Sequence, residues 1–552
     1  QCRGWRDFSQ NHPPARLNTP NLHSKRIFSM RTAIVNLGRI VSGDWREPWV
    51  AGDAILMDNG VITQAGQVAD SELLSCDVVI DAGGATAIPG LIDSQVHNTF
   101  GDYTPRQKTV GFLESYVHGG VTTAISASEV HVPGRPKDPE GVKALAVAAM
   151  KCFETYRPGG MRVWAGAVIL EPGLLEQDFA DIARQGVWLA KAGFGAVKTP
   201  YEYTPMIAAA KKHGMTTLVH TGGSSIPGSS GIWADHLLDM KPDVSFHTNG
   251  GPVAMPDADY PRLVNESQIA LQVCTAGNLR TTLWLGKLVR EAQAFDRFLI
   301  ATDTPTGSGI MPLGLMYTIS HLASLGDMPV EMAIAAATGN NARVYKRNSG
   351  FIAPGRDADV VIIDACVGGS KNDALASLTN GDIAAVAAVI TDGVPRFVGR
   401  SRNTPAPMKT VRVSQNRVLH DFSVRHEVGR TKVPCGNPYM LGGKIVLGRT
   451  KRITNVTVGS NGFQAFHEKL NTMLGIDPEC LMNSFGDVAP KNLAWYKVAG
   501  PIRVSLGPKP FYEVHGLIPV RTHVISWNIE YLNGDIGGIR FSFKEAMWVF
   551  FE

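Results

Sequence analysis

Ala87-Ile88-Pro89-Gly90-Leu91-Ile92-Asp93-Ser94-Gln95-Val96-His97 is the stretch on which the reading of this chain turns. It reads as a buried strand that opens with Pro-Gly and ends in polar groups. Side chains two apart on a strand share a face, so Gln95 and His97 project together. Histidine at both places would supply two metal ligands from one strand end; here the first partner is glutamine.

Downstream of this stretch, to about residue 345, strands alternate with helices. Residues 205–213 read as a helix and 215–220 as the strand after it; 281–294 read as a helix and 298–302 as the next strand. Repeated βα units over this length predict a (β/α)8 TIM-like barrel over 90–345, with a doubly wound sheet as the alternative. Upstream, residues 33–36, 54–57 and 78–80 read as short strands. They are parted by the turn signals Asp58-Asn59-Gly60 and Ala82-Gly83-Gly84. Short strands return at 357–363 and 385–390, followed by Thr391-Asp392-Gly393. These flanks are expected to pair, so that 30–89 and 346–407 form one β-sandwich, with 401–407 as a linker.

Beyond 408 the texture changes. Strands are expected at 444–447, 453–458, 502–506 and 523–531, with a helix near 462–473, giving an additional β-rich domain over 408–552 whose role the sequence leaves open. Residues 1–29 are polar and lack the apolar core of a secretory signal, and read as a leader or tag.

The chain has 552 residues, too many for one core. No uncharged apolar run reaches membrane-spanning length, so no membrane partner is expected. The seven cysteines are scattered and form no Cys-x-x-Cys, which suits a reduced cytoplasm. The net charge of +4 hides an asymmetry: residues 409–552 hold 18 Lys and Arg against 11 Asp and Glu, leaving 35 against 38 elsewhere. That slightly acidic remainder, without a recognition motif, argues against a nucleic-acid partner.

Chemistry in a (β/α)8 barrel sits at the C-terminal strand ends. Several expected strands end in metal-capable groups: His97, then His220 after Thr217-Leu218-Val219, His247 after Val244-Ser245-Phe246, and Asp303 after Leu299-Ile300-Ala301-Thr302. Lys191 follows Trp188-Leu189-Ala190. Imidazole and carboxylate suit a divalent metal, zinc first, with iron or manganese as alternatives. A metal-activated water and a carboxylate proton acceptor would then make a hydrolytic centre.

These residues lie among longer runs that carry a resemblance. They include Gly101-Asp102-Tyr103-Thr104-Pro105-Arg106-Gln107-Lys108-Thr109, Pro133-Gly134-Arg135-Pro136-Lys137-Asp138, Gly166-Ala167-Val168-Ile169-Leu170-Glu171, His220-Thr221-Gly222-Gly223-Ser224-Ser225 and His247-Thr248-Asn249-Gly250-Gly251-Pro252. From about residue 31 to 407 the chain resembles the amidohydrolase superfamily, most of all its enamidase branch, which hydrolyses a cyclic enamide. The resemblance implies the barrel beside a sandwich, a site of one or two metals, and a homo-oligomer. It implies His97, His220 and His247 as metal ligands, and Asp303 as both ligand and proton shuttle.

Two residues depart from the pattern. Gln95 stands where the family usually has His, and an amide oxygen is a poorer transition-metal ligand than imidazole. Lys191 stands where the enamidase branch has a bridging Glu. Carboxylated, it restores that bridge; unmodified, it opposes a cation by like charge. The Gln95 change favours a single tightly held metal on His220, His247 and modified Lys191, with His97 and Asp303 holding a second, weaker one or only orienting water.

For substrate contacts, Arg106 could pair with a carboxylate, His131 lies in the loop after the second barrel strand, and Asn249 and Gly250 could hold a ring amide. The expectation is a metal-dependent hydrolase of a cyclic amide acting on a small heterocyclic substrate. The alternatives are a ring deaminase, or a degenerate barrel serving as a scaffold.

Overall fold

In the computed structural model the described residues are 30–99, 109–129, 134–224, 229–251, 253–305 and 309–416, together with six short strands between 455 and 531. Arg106, His131, the leader 1–29 and the expected helix near 462–473 lie outside them.

The opening stretch is two strands rather than one. β6 (Thr86–Pro89) and β7 (Leu91–Val96) meet at Gly90 and enter different sheets. Gly90 has no room for a side chain: a Cβ there would lie 2.1 Å from Thr122 Oγ1. Its N–H bonds Asp359 O (2.9 Å) on the β6 side, while Leu91 N bonds Gly120 O (3.1 Å) on the β7 side.

Before it come β1 (Arg31–Val35), β2 (Arg39–Ile40), β3 (Ala54–Asp58), β4 (Val61–Gly66) and β5 (Val78–Asp81). After the central region come β16 (Val360–Asp364), β17 (Ala385–Thr391), β18 (Val394–Val398) and β19 (Arg412–Asn416). They form two five-stranded sheets, β19-β5-β1-β3-β4 and β18-β17-β16-β6-β2, so each draws strands from both flanks. Ile34, Ile55 and Ile80 of one share a core with Ala87, Ile362 and Ile390 of the other. The turn signals act as two-residue hairpin loops: Asn59 and Gly60 (φ 50° and 75°) join β3 to β4, and Asp392 and Gly393 (φ 51° and 74°) join β17 to β18. β19 carries the pairing past residue 407, where the boundary was expected, because its residues 412–416 run antiparallel along β5.

The central region is a series of parallel strands. β7, β8 (Val121–Ser126) and β9 (Arg162–Trp164) form one sheet. β10 (Ala167–Ile169), β11 (Leu189–Ala192), β12 (Thr216–His220), β13 (Val244–Phe246), β14 (Ala270–Cys274) and β15 (Phe298–Ala301) form another, in sequence order. Helices follow the strands, among them Pro139–Thr155, capped by Asp138, and Leu279–Glu291, capped by Asn278. At Ala165-Gly166, between β9 and β10, the buried Glu129 carboxylate accepts from Gly166 N (2.7 Å) and Ala167 N (3.0 Å). At the other edge, Asp303 N bonds Gln95 O (3.0 Å) and His97 N bonds Thr304 O (2.8 Å), bringing the end of the last strand to the first. Below the strands, the Arg347 guanidinium lies between the indoles of Trp164 and Trp188, 4.0 and 3.7 Å from their centres.

In the C-terminal region the described strands are β20 (Asn455–Val456), β21 (Leu493–Tyr496), β22 (Ile502–Ser505), β23 (Pro510–Val514), β24 (Ile518–Arg521) and β25 (Trp527–Tyr531). They form the sheets β20-β25-β22-β23 and β21-β24. No helix among the described residues is long and apolar enough to cross a membrane.

Candidate active site

The structure brings His97, Lys191, His220, His247 and Asp303 to the C-terminal ends of β7, β11, β12, β13 and β15, all buried. Two of them leave their strands through left-handed backbone, His247 at φ 33° and Asp303 at φ 59°. For a histidine this costs about 1–3 kcal/mol, and such strain gathers where side-chain direction matters more than local comfort.

The donors fall into two unlike halves. In the first, Gln95 Nε2 donates to Asp303 Oδ1 (2.5 Å) and His97 Nε2 lies 3.1 Å from the same oxygen. Burial alone would raise the Asp303 carboxyl. The His97 hydrogen bond and the charges of His247, His97 and Lys191 outweigh it and bring the group down to about 2. Asp303 is therefore ionised at neutral pH. Gln95 Oε1, facing away from this bond, is buried without a hydrogen-bond partner.

In the second half the tautomers are fixed by carbonyls. His220 Nε2 is 2.9 Å from Gly223 O, and His247 Nδ1 is 2.9 Å from Thr221 O. A carbonyl only accepts, so both nitrogens carry the proton. Burial pushes His220 well below the usual imidazole range, with His247 and Lys191 adding to the effect, and brings His247 to about 4. Both rings are then neutral, and the nitrogens they turn towards each other, His220 Nδ1 and His247 Nε2, carry lone pairs 3.1 Å apart. Two lone pairs repel; a cation between them removes the conflict. Nitrogens each about 2.0–2.1 Å from one zinc stand roughly 2.9–3.4 Å apart at ordinary ligand angles, so the pair fits a divalent metal.

Lys191 sits beside this pair, 1% exposed, its Nζ 3.8 Å from the centre of the Phe246 ring and 5.7 Å from that of Phe194. Burial lowers the amine from 10.5 to about 7, opposed by Asp303. At that value a large fraction of the amine is neutral near pH 7. Among the described residues no group of three His, Cys, Asp or Glu forms a metal-holding cluster. Among the described residues, then, a third donor for the histidine pair is of another residue type.

Asn249 is placed differently from the expected ring-amide contact. Its Nδ2 donates to Cys274 O (3.0 Å) and Thr282 Oγ1 (2.8 Å), and its Oδ1 accepts from Cys274 N (3.0 Å), so the side chain staples the loop after β13 to β14. Gly250 (φ 77°) lets that loop turn tightly; a Cβ there would lie 2.4 Å from Ala254 Cα. A residue not singled out from sequence is Asn98. It is 1% exposed directly after His97, and both its amide nitrogen and oxygen lack a hydrogen-bond partner. A cavity of about 200 Å³ opens near the end of β14, lined by Cys274, Thr275, Leu279, Tyr317 and His321; none of the candidate ligands lines it.

An amidohydrolase family model matches residues 255–396. Over 384 residues the chain is 41% identical to the enamidase of Eubacterium barkeri, covering 69% of this chain and 99% of that protein. The chain belongs to the amidohydrolase family. The crystal structure of enamidase, described as a member of the amidohydrolase superfamily, superposes with a TM-score of 0.66 over 69% of this amidohydrolase and 100% of that chain. An imidazolonepropionase of Bacillus cereus is 28% identical over 60% of this chain and 90% of its own length. An adenine deaminase of Bacillus velezensis is 24% identical, and this amidohydrolase spans 54% of it.

Proposed function

We propose that this amidohydrolase is a metal-dependent hydrolase of a cyclic amide, a lactam, enamide or imide, within a (β/α)8 barrel that closes between β15 and β7 beside a sandwich built from both flanks. The observation that carries the reading is the pair of facing, unprotonated nitrogens on His220 and His247. They hold one divalent metal, zinc first, with iron or manganese as alternatives. Carboxylated Lys191 is the third donor; its neutral amine, shielded by Phe246 and Phe194, is the form that adds carbon dioxide. The metal supplies Lewis acidity that makes water a nucleophile near pH 7 and polarises a carbonyl.

The remaining groups handle the proton. Asp303, ionised and with Oδ1 already taken by Gln95 and His97, keeps Oδ2 for the proton of the attacking water and passes it to the leaving ring nitrogen. His97 is its hydrogen-bond partner rather than a ligand to the first metal. A buried amide without partners costs about 1–3 kcal/mol per unmet group, and the Asn98 side chain would be satisfied by a group offering both N–H and C=O. A cyclic amide offers both. Arg106 pairs with a substrate carboxylate and His131 adds a further substrate contact, and the site works on small heterocycles in a cytoplasmic homo-oligomer.

The test is elemental analysis of purified protein beside the His220→Ala/His247→Ala variant, with ring-opening of cyclic amides followed chromatographically. One metal per chain, lost in the variant together with ring opening, is the expected result. Ammonia release without ring opening replaces the reading with deamination. No metal after reconstitution with zinc and bicarbonate leaves the scaffold reading.

A further inference from the structure

The site has a support that lies outside its donors. Arg135, in the loop after β8, is buried against Glu171, which follows β10 (Nη1–Oε1 2.5 Å); their side chains are 5% and 0% exposed. Taking two charges out of water is expensive, and apolar replacements of similar volume often fold as well, so stability alone is a weak explanation for such a pair.

What distinguishes this pair is where its remaining bonds go. Arg135 Nη2 donates to Phe194 O, and Glu171 Oε2 accepts from Ala196 N (2.7 Å). The third contact, from Nη1 to Pro136 O (2.8 Å), ties the guanidinium to its own loop. Both charged groups therefore grip the main chain of one turn, Gly193-Phe194-Gly195-Ala196, which follows the end of β11 and begins two residues beyond Lys191. That turn is pressed against the donors. A Cβ on Gly193 would lie 2.4 Å from His220 Cβ, and the Phe194 ring centre is 5.3 Å from that of His220 and 5.7 Å from Lys191 Nζ.

We propose that Arg135 and Glu171 are positioning residues that fix His220 and the aromatic enclosure of Lys191 through this turn. The inference rests on the reading of His220 and Lys191 as metal donors. Arginine is required because its planar fork reaches the carboxylate and a carbonyl at once; lysine, a single point of charge, cannot span both.

The test uses Arg135→Met/Glu171→Leu, which removes both charges while keeping the volume. Hydrogen exchange in metal-free protein should quicken at least tenfold over residues 193–196 and stay unchanged in β14 and β15. Cobalt(II) titrated spectroscopically should bind about 10–100-fold more weakly, the range expected when a ligand's supports are lost. Should the double variant fail to fold, Arg135→Lys is measured instead, with the same local exchange expected. Unchanged exchange over 193–196 in a folded variant overturns the inference. If wild-type protein binds no cobalt, the metal reading fails, and the exchange comparison still decides whether the pair holds the turn.

Discussion

Replacing Gln95 by histidine asks whether this one residue limits the metal content. Two effects on stability oppose each other. The variant loses the Gln95 Nε2 hydrogen bond to the ionised Asp303, worth about 1.5–3 kcal/mol for a bond to a charged group. It also removes the stranded Gln95 Oε1, a relief of about 1–3 kcal/mol. The net change is about 1 kcal/mol or less, a melting shift of no more than roughly 2–4 °C. The effect on metal is larger. An imidazole joins His97 and Asp303 on the half of the site that hydrogen bonds now satisfy. A gain of about 3 kcal/mol from that ligand is roughly 100-fold in affinity for a second metal. Dialysis against a fixed zinc concentration followed by elemental analysis should give one metal per chain for the natural sequence and two for Gln95→His. If the folded variant holds the same number of metals as the natural protein across the zinc range, Gln95 is not what limits the site, and the division into two unlike halves is wrong.

Gly193→Ala should drive His220 aside, since its Cβ would stand about 1 Å inside ordinary contact on backbone at φ 113°; a displacement of this size costs roughly 100-fold in kcat, and activity within a few-fold of wild type would refute the close approach. Asn98→Ala should raise KM for a cyclic amide about 5- to 50-fold, the worth of one or two hydrogen bonds, with kcat less affected; an unchanged KM would remove Asn98 from substrate contact. Acid stability should depend on His118, which stacks on Phe397 and is brought from 6.5 to about 4 by burial and then by Arg402. The unfolded chain takes up that proton first as pH falls, so stability is full above about 6.5 and declines towards pH 4 by roughly 1–2 kcal/mol after discounting for partial exposure. His118→Gln should remove that part of the decline in urea midpoints measured at pH 7.5 and 5, and an unaltered pH dependence would contradict it.

Much of the candidate site is legible because strand ends announce themselves: an apolar run stopping at His97, His220, His247 or Asp303 needs no tertiary knowledge to be noticed. Gln95 and Lys191 were legible for the same reason, as departures at fixed strand positions. Asn249 was not, because whether a loop amide meets a ligand or staples a neighbouring strand depends on Cys274 and Thr282, 25 and 33 residues away. Arg135 and Glu171 stood in plain view within matched runs, yet their role exists only where three loops converge on Phe194 and Ala196. The strand from 87 to 97 looked continuous because apolar residues run through it, and only the contact of Gly90 with Thr122 shows that it changes sheets there.

That change of sheet at Gly90 bears on how the molecule can be taken apart. Two modules in tandem can be separated by cutting their linker. Here a single residue, Gly90, separates the last residue of one sheet from the first of the other, and β16, which arrives from beyond residue 345, needs β6 as its neighbour. A gene fragment beginning at residue 90 would carry the strands of the candidate site but leave β16 with an unpaired edge, a template for aggregation. The flanks and the centre are therefore expected to be inherited, expressed and exchanged as one indivisible piece, so chimeras with other amidohydrolases should be joined within the helices or loops of the centre and never at the boundary between the sheets.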